Sequence, residues 1–429
     1  MFLPIVLITL SALLHSVNAA GCRVYLNGNL TQTHAPLFLK QVDNHYHLLQ
    51  PSGPFFEWRR AETIVAGCSP AKNTLTNTGT DLATISCIEN QEFNLVGSSK
   101  RISVSDISCS SAVSGAIQPS NKLCANGAGH LYDVGFSIKG KELIKLFQVC
   151  YNATKSSTIY SEHQILGKAI SHAQINNNRP AFKLGGITSS VRLASVYTQR
   201  HQQERFTTLL GSSAQAAKYI NSSSYLAKGH LTPDGDAVLD SWAGSTYFFI
   251  NAAPEWQVVN GGNWLRVENA ARKVASQLDD TVHVYSGVYD ILRLLDKNGN
   301  PVSVSLGDDG TVEVPKWLWK VVVHQPSGKG IALISLNNPF ATVPETLCED
   351  ICSRYGWHQK EFQDLRKGYT HCCTHQTGKM LNPGVLATTA TLRVNQLHPE
   401  DSNDPFRPEL PFTALHLYRH QPTEHCTAG

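Results

Sequence analysis

The sequence predicts an α+β protein in which a β-rich, disulfide-containing N-terminal domain precedes a mixed α/β domain. Two observations support this division. Of the eleven cysteines, six lie between Cys22 and Cys150, five lie between Cys348 and Cys426, and none lies in the long interval between these groups. Short alternating apolar segments dominate the first region, whereas the cysteine-free middle combines strand-like segments with one strongly periodic helix. A chain of 429 residues is long enough for two or three domains.

The start of the chain predicts a secretory signal peptide. It is one apolar run that ends in small residues, and Val17-Asn18-Ala19 resembles a signal-peptidase site. No later segment is long enough to cross a bilayer, so we expect cleavage after residues 1–19, secretion, and no membrane partner. Three sequons are compatible with a secreted glycoprotein: Asn29, Asn152 and Asn221.

The cysteines are expected to form disulfides in an oxidising compartment, with one of the eleven left over. Cys348, Cys352 and the run 371–375 also contain residue types that bind zinc, but their spacing is poor for zinc and secretion favours disulfides. His45 and His47 share one side of a possible strand. Without a third ligand, they indicate a solvated strand face.

Segment patterns place the domain boundary near residue 155. Residues 20–154 contain the strand candidates ATISCIEN, EFNLVGS and RISVSDISC. Residues 155–429 contain TYFFINA, TVHVYSGVYD, WLWKVVVH and GIALISL, a hairpin turn at 297–300, and a cysteine-rich C-terminal segment. The net charge of +3 is weak, so any phosphate recognition must come from a local cluster of cations.

One helix is well marked after the strand candidate TYFFINA. Its apolar positions recur at three- and four-residue steps: Trp264, Val267, Ala271, Val274 and Leu278. Asn263 can cap the start of this helix, and Asn260 lies just before it. Glu268 and Arg272 stand four residues apart on one side. Alone, this pair would be an ordinary surface ion pair.

Four short stretches together resemble the DNA/RNA non-specific endonuclease family with the ββα-metal (His-Me) finger. They are Lys228-Gly229-His230, Asn251-Ala-Ala-Pro254-Glu255, Asn260-Gly-Gly-Asn263-Trp264 and Glu268-Asn-Ala-Ala-Arg272. The spacing between these stretches also agrees with the family, and the resemblance covers about residues 155–345. The family's Asp-Arg before Gly-His is Ala227-Lys228 here, and its Gln after the proline is Glu255. With these departures, the signal peptide and the cysteine-rich flank, the chain is similar to secreted arthropod double-strand RNA nucleases and duplex nucleases. Because that branch includes insect gut nucleases, the gut lumen is a candidate location.

The resemblance implies a role for each matched residue. His230 would be the general base, and Asn260 would bind one Mg²⁺, with Mn²⁺ as an alternative. Glu268 would orient the waters of the metal, and Arg272 would hold a phosphate oxygen. Asn251 is expected to brace the site.

The family also uses an arginine upstream of the histidine. Arg205 and Arg200 are the two candidates, and Arg205 is preferred because it lies beside an aromatic residue. Lys228 and Arg200 are expected to contact substrate.

The implied activity is hydrolysis of phosphodiester bonds with little sequence or sugar specificity. We expect double-stranded RNA to be favoured, with DNA and single strands also cut. Two alternatives stay open. Ala227 and Lys228 motivate a nucleic-acid-binding protein with weakened catalysis, and the cysteines motivate a secreted structural protein in which Glu268 and Arg272 form an ordinary ion pair. The sequence leaves the oligomeric state and the role of the N-terminal domain open.

Overall fold

Two antiparallel sheets and a ββα unit make up most of the protein. The structure, a computed structural model, describes residues 21–30, 34–138, 140–175 and 179–374. The predicted signal peptide and Cys426 lie outside these ranges. The α+β class is confirmed.

The N-terminal region is a six-stranded antiparallel sheet with a small two-stranded sheet beside it. Its strands are β1 Cys22–Tyr25, β2 Leu37–Val42, β3 His45–Leu48, β4 Phe55–Trp58, β5 Thr63–Gly67, β6 Leu82–Glu89, β7 Glu92–Leu95 and β8 Arg101–Ser103. Phe38, Phe56, Trp58 and Phe93 form an aromatic cluster in its core. Disulfide Cys22–Cys87 joins β1 of the small sheet to β6 of the large one, and Cys68–Cys109 ties the end of β5 to the loop after β8. The β-rich, disulfide-containing N-terminal region is therefore confirmed.

An eight-stranded antiparallel sheet in the order β20-β19-β18-β15-β12-β11-β10-β9 forms the centre of the molecule. Its strands are β9 Ala116–Cys124, β10 Gly129–Phe136, β11 Ile144–Asn152, β12 Ser157–Leu166, β15 Thr281–Ile291, β18 Pro315–His324, β19 Lys329–Leu336 and β20 Thr370–Thr374. Three of these strands precede residue 155. A domain boundary at residue 155 would therefore divide one sheet, because the β11–β12 ladder continues across the turn at that point.

The ββα unit packs its helix against this sheet. Strand β13 Leu226–His230 pairs antiparallel with β14 Ala252–Trp256, and a second hairpin joins β16 Arg293–Leu295 to β17 Pro301–Ser303. The helices are α1 Gly167–Ile170, α2 Leu193–Val196, α3 Gln199–Leu210, α4 Ser213–Ala216, α5 Asp240–Gly244, α6 Gln257–Val259 and α7 Leu265–Leu278. The predicted apolar face of α7 is buried through Val267, Ala271 and Val274.

Two local predictions were wrong. The segment from Thr246 to Asn251 is not a regular strand, because it ends in the 3-10 turn Phe249–Asn251 and β14 starts only at Ala252. Asn263 does not cap α7. A π-helical turn, Asn260–Trp264, runs directly into that helix, and the side-chain amide of Asn263 donates instead to the carbonyls of Glu361 and Gly368.

The remaining cysteines of the described chain are also paired. The disulfides are Cys124–Cys150, Cys348–Cys373 and Cys352–Cys372. These pairs confirm the prediction of disulfides over zinc for the C-terminal cluster. Within the described ranges, no helix is both long and apolar enough to span a membrane.

Candidate active site

His230 ends strand β13 and is held there through its backbone. The indole nitrogen of Trp264 donates to the carbonyl of His230 at 3.4 Å. The preceding residue must be glycine, because a Cβ on Gly229 would lie 2.0 Å from Cδ of Glu255 on the paired strand. The hairpin therefore fixes both the position of His230 and the close packing beneath it.

The imidazole of His230 lies between two aromatic rings. Ring-centroid distances are 4.9 Å to Phe182 and 4.7 Å to Tyr247. The Nε2 atom is buried, and no group in the described part of the chain forms a hydrogen bond with it. Burial lowers the pKa of His230 to about 4, an effect opposed by Asp234 and reinforced by Arg179. The ring is therefore neutral near pH 7, the form that can accept a proton.

Asn260 and Glu268 offer oxygen atoms on the π-helical turn and helix that follow β14. Asn260 is half-buried in the π-helical turn, and Glu268 is buried two turns further along on α7. Within the described residues, no group donates a hydrogen bond to the Glu268 carboxylate. Burial raises the pKa of Glu268 to about 7, against the charges of Arg272 and Lys320. A buried carboxylate without a protein donor and a nearby amide oxygen are the ligand chemistry of a hydrated hard cation such as Mg²⁺.

Arg272 follows one turn after Glu268 and is only partly buried. Its Nη1 donates to Oδ1 of Asp236 at 2.7 Å, and its Nη2 donates to Oδ1 of Asn269 at 2.7 Å. Burial would lower the pKa of Arg272, but Asp236 and Glu268 outweigh it and raise the pKa. The guanidinium is therefore a fixed positive charge with part of its surface open to a ligand.

Asn251 holds the loop that follows His230. Its amide nitrogen donates to the carbonyls of Thr232 and Thr246 at 2.8 and 3.0 Å, and its Oδ1 accepts from the Thr232 amide at 2.9 Å. The side chain is completely buried. Asn251 therefore fixes the backbone around the base and does not present its own side chain to a ligand.

Two buried ionisable groups lie near the site, and sequence reasoning missed the place of Lys320 there and the burial of Glu255. Lys320 lies on β18 with its ammonium beside the Ser286 hydroxyl and 5.2 Å from the Trp264 ring centroid, and burial lowers its pKa. Both carboxyl oxygens of Glu255 are buried and have no hydrogen-bond partner in the described chain. Burial, with the nearby charge of Glu268, raises the pKa of Glu255 well above its ordinary value. Their sequence positions on apolar strands gave no sign of this shared environment.

The two predicted upstream arginines, Arg200 and Arg205, have their contacts away from His230 and helix α7. Arg200 is 90% exposed and pairs with Glu204 on the same helix. Arg205 donates to the carbonyl and hydroxyl of Ser305 and pairs with Asp308 at 3.2 Å. Helix α3 directs Arg200 to a neighbour on its own surface and Arg205 to the loop that follows β17.

A different arginine, Arg179, acts on His230 through its charge. Its charge helps to lower the pKa of His230, and the residue is exposed. Three positions later, Phe182 packs on the His230 ring, and the ammonium of Lys228 lies 5.6 Å from the centroid of Phe182. Lys228 thus stays close to the site, as expected for a substrate contact. The only sequence signal for Arg179 was a basic residue near an aromatic, in a segment without periodicity.

A neutral imidazole, oxygen donors suited to a hard cation and an anchored guanidinium on a ββα unit are the groups that metal-dependent hydrolysis of a phosphodiester requires. The profile of the DNA/RNA non-specific endonuclease family matches residues 127–378. The chain belongs to this family of metal-dependent nucleases and is an endonuclease that acts on nucleic acid. The match begins before residue 155, as does the central sheet.

Curated relatives agree with this assignment. The chain is 30% identical to a salivary endonuclease of Lutzomyia longipalpis, over 83% of this chain and 82% of the relative. It is 25% identical to a salivary endonuclease of Culex quinquefasciatus, over 78% of this chain and 83% of the relative. The salivary protein Tsal2A of Glossina morsitans morsitans is 26% identical, over 82% of this chain and 89% of the relative.

Proposed function

We propose that the protein is a secreted, Mg²⁺-dependent endonuclease with little sugar specificity, in which His230 is the general base. The observation that carries this proposal is the environment of His230. Its imidazole is kept neutral by burial and lies in the same ββα unit as the oxygen donors of Asn260 and Glu268. A neutral imidazole can take a proton from water, which then attacks phosphorus.

The chain's own residues supply the other parts of the reaction. The attacking water loses a proton to His230 and forms a bond to phosphorus, and the bond to the 3′ oxygen breaks, which leaves a 5′ phosphate. Arg272 would stabilise charge on the non-bridging oxygens, and Arg179 would hold the phosphate from the side of His230. Phe182 and Tyr247 keep bulk water from the imidazole ring.

Asn260 would hold the metal through its amide oxygen, and Glu268 would accept hydrogen bonds from the metal's waters. When bound, Mg²⁺ would neutralise the phosphate and assist departure of the 3′ oxygen. Mn²⁺ fits the same ligands.

Double-stranded RNA is the favoured substrate in our proposal, with DNA and single strands also cut. Arg179, Lys183 and Lys228 are exposed close to the base and suit phosphate contacts, which carry no sequence information. Preference for RNA would come from the shape of the A-form duplex.

Secretion is supported by the five disulfides and by the names of the relatives, which are called salivary. Disulfides of this kind persist in oxidising compartments. We favour saliva over the gut lumen because these relatives are named as salivary proteins.

The decisive experiment compares matched substrates. Duplex RNA, duplex DNA and both single strands of equal length are incubated with the secreted protein in Mg²⁺ and in EDTA, with His230→Ala as the control for contaminating nucleases. We expect Mg²⁺-dependent cleavage by the wild type, fastest on duplex RNA. Cleavage that persists in EDTA or in His230→Ala would refute the proposed site. Tight binding without cleavage of any substrate would favour a nucleic-acid-binding protein with weakened catalysis, the alternative that Ala227 and Lys228 motivate.

A further inference from the structure

Asp236 lies behind Arg272, in the loop that follows His230. Its side chain is 2% exposed, and each of its carboxylate oxygens has a separate partner. Oδ1 accepts from Nη1 of Arg272 at 2.7 Å, and Oδ2 lies 2.8 Å from Nε2 of His163. These partners belong to helix α7 and to strand β12. One carboxylate therefore joins the helix that carries Arg272 to the central sheet.

His163 is itself held from its other side. The ring is buried, and its Nδ1 lies 3.2 Å from Oγ1 of Thr232. The hydroxyl of Thr232 donates to Ser161 at 2.9 Å. Because an ionised carboxylate can only accept, Nε2 of His163 donates to Asp236. The orientation of Asp236 is thus set by a chain of contacts that starts on β12.

The guanidinium of Arg272 is fixed at two points and still has capacity to bind. Nη1 is used by Asp236 and Nη2 by Asn269, yet the side chain keeps 18% of its surface exposed. A guanidinium has five N–H donors, so further donors are left for a phosphate oxygen. Two anchors on different elements fix the plane of this group before substrate arrives.

We propose that Asp236, held by His163, is a positioning residue that orients Arg272 toward the scissile phosphate and sets its distance from His230. The inference rests on the proposed phosphate contact of Arg272. Asp236 and His230 share one short loop, and that loop is pinned by Asn251 through both backbone groups of Thr232. Movement of Asp236 would therefore displace the guanidinium relative to the base.

A cavity gives chemical access to Asp236. Asp236, His163 and Thr232 line a space of about 660 Å³ between the β2–β3 hairpin and the central sheet. Removal of the Asp236 side chain would open a small anion-sized gap between Arg272 and this space. Formate is small enough to enter such a gap and to restore the missing carboxylate.

The test is a double-mutant cycle on the cleavage rate under single-turnover conditions, with duplex RNA and saturating Mg²⁺. Asp236→Ala, Arg272→Ala and the double variant are compared, and melting temperatures are recorded. We expect Asp236→Ala to lower the rate about 100-fold, as for a misplaced catalytic group. We expect the double variant to match Arg272→Ala, because Asp236 acts through that residue. Formate should raise the rate of Asp236→Ala and leave that of Arg272→Ala unchanged.

Two further variants separate a loss of positioning from a loss of folding. Asp236→Asn keeps the shape and one acceptor oxygen for Arg272, so we expect a loss of about 10-fold and no response to formate. Asp308→Ala is the matched control, since Asp308 pairs with Arg205 on the surface, and it should retain the wild-type rate.

Three results would overturn the inference: a wild-type rate in Asp236→Ala, additive losses in the double variant, or equal formate effects in both single variants. A wild-type rate in Arg272→Ala would instead refute the proposed phosphate contact, so the two failures are distinguishable.

Discussion

The N-terminal sheet and the catalytic unit are stabilised by opposite means. The sheet has an aromatic core and two disulfides, and its ion pairs lie on the surface. The catalytic unit and the strands beneath it bury five ionisable groups close together: His163, Asp236, Glu255, Glu268 and Lys320. Burial of such groups costs free energy unless each is paired, and Glu255 has no partner among the described residues.

This difference separates stability from activity. A protein is expected to tolerate a costly arrangement only where the chemistry needs it. Changes to the N-terminal sheet should therefore act on the free energy of unfolding, and changes to the catalytic unit should act on the cleavage rate. Two predictions test this separation, and a third measures what the buried imidazole nitrogen of His230 costs in stability.

The largest expected effect is on stability and comes from the N-terminal sheet. Replacement of Cys22 and Cys87 by serine opens a loop with a sequence separation of 65 residues. The chain-entropy account predicts a loss of about 4 kcal/mol in the free energy of unfolding. Denaturant unfolding measures this loss, and the cleavage rate well below the unfolding transition should not change. A large fall in that rate would show that the two regions are not separable.

The next effect is on activity. Arg179→Ala should lower the cleavage rate about 100-fold, or about 2.7 kcal/mol, because a phosphate contact beside His230 is lost. Arg205→Ala is the matched control. It removes contacts to Ser305 and Asp308, so it should reduce the melting temperature and leave the rate within about threefold. The opposite result would restore Arg205 as the catalytic arginine.

The smallest effect is a pH dependence of stability. The pKa of His230 is about 4 in the folded protein, below its ordinary value of 6.5. The folded state binds fewer protons between these values, so its stability is complete above pH 6.5 and is lost as the pH falls toward 4. Between pH 7 and pH 4.5, the wild type should lose about 2 kcal/mol more than His230→Gln. Equal losses in urea unfolding would show that the folded protein does not hold the His230 imidazole in its neutral form.

The resemblance of four short stretches to the nuclease family identified the residues of the ββα unit, which local pattern alone would have left as a lone histidine and a surface ion pair. His230, Asn260, Glu268 and Arg272 lie within one short stretch whose hairpin and helix bring them together. Segment patterns also located α7 and six strands of the two sheets: β6, β7, β8, β15, β18 and β19. These features depend on short-range geometry, which spacing records directly.

The missed features depend on pairing across long separations. Asp236 meets His163 only because β12 lies at the centre of the eight-stranded sheet, and Lys320 reaches Trp264 only through β18. The composition change near residue 155 suggested a boundary, although the hydrogen-bond ladder continues through it. Arg205 was preferred for its aromatic neighbour in sequence, whereas the aromatic that contacts the base is Phe182.

In the proposed mechanism, His230 is the general base that removes a proton from the attacking water. The most direct measurement compares the wild type with His230→Ala, using the dissociation constant for duplex RNA in Ca²⁺ and the single-turnover cleavage rate in Mg²⁺. We expect the rate to fall at least about 1,000-fold, since general-base catalysis contributes on the order of 10² to 10⁴. The dissociation constant should change less than about threefold. A variant that cuts at the wild-type rate, or one that loses binding and rate in equal measure, would contradict the assignment of His230 as the base.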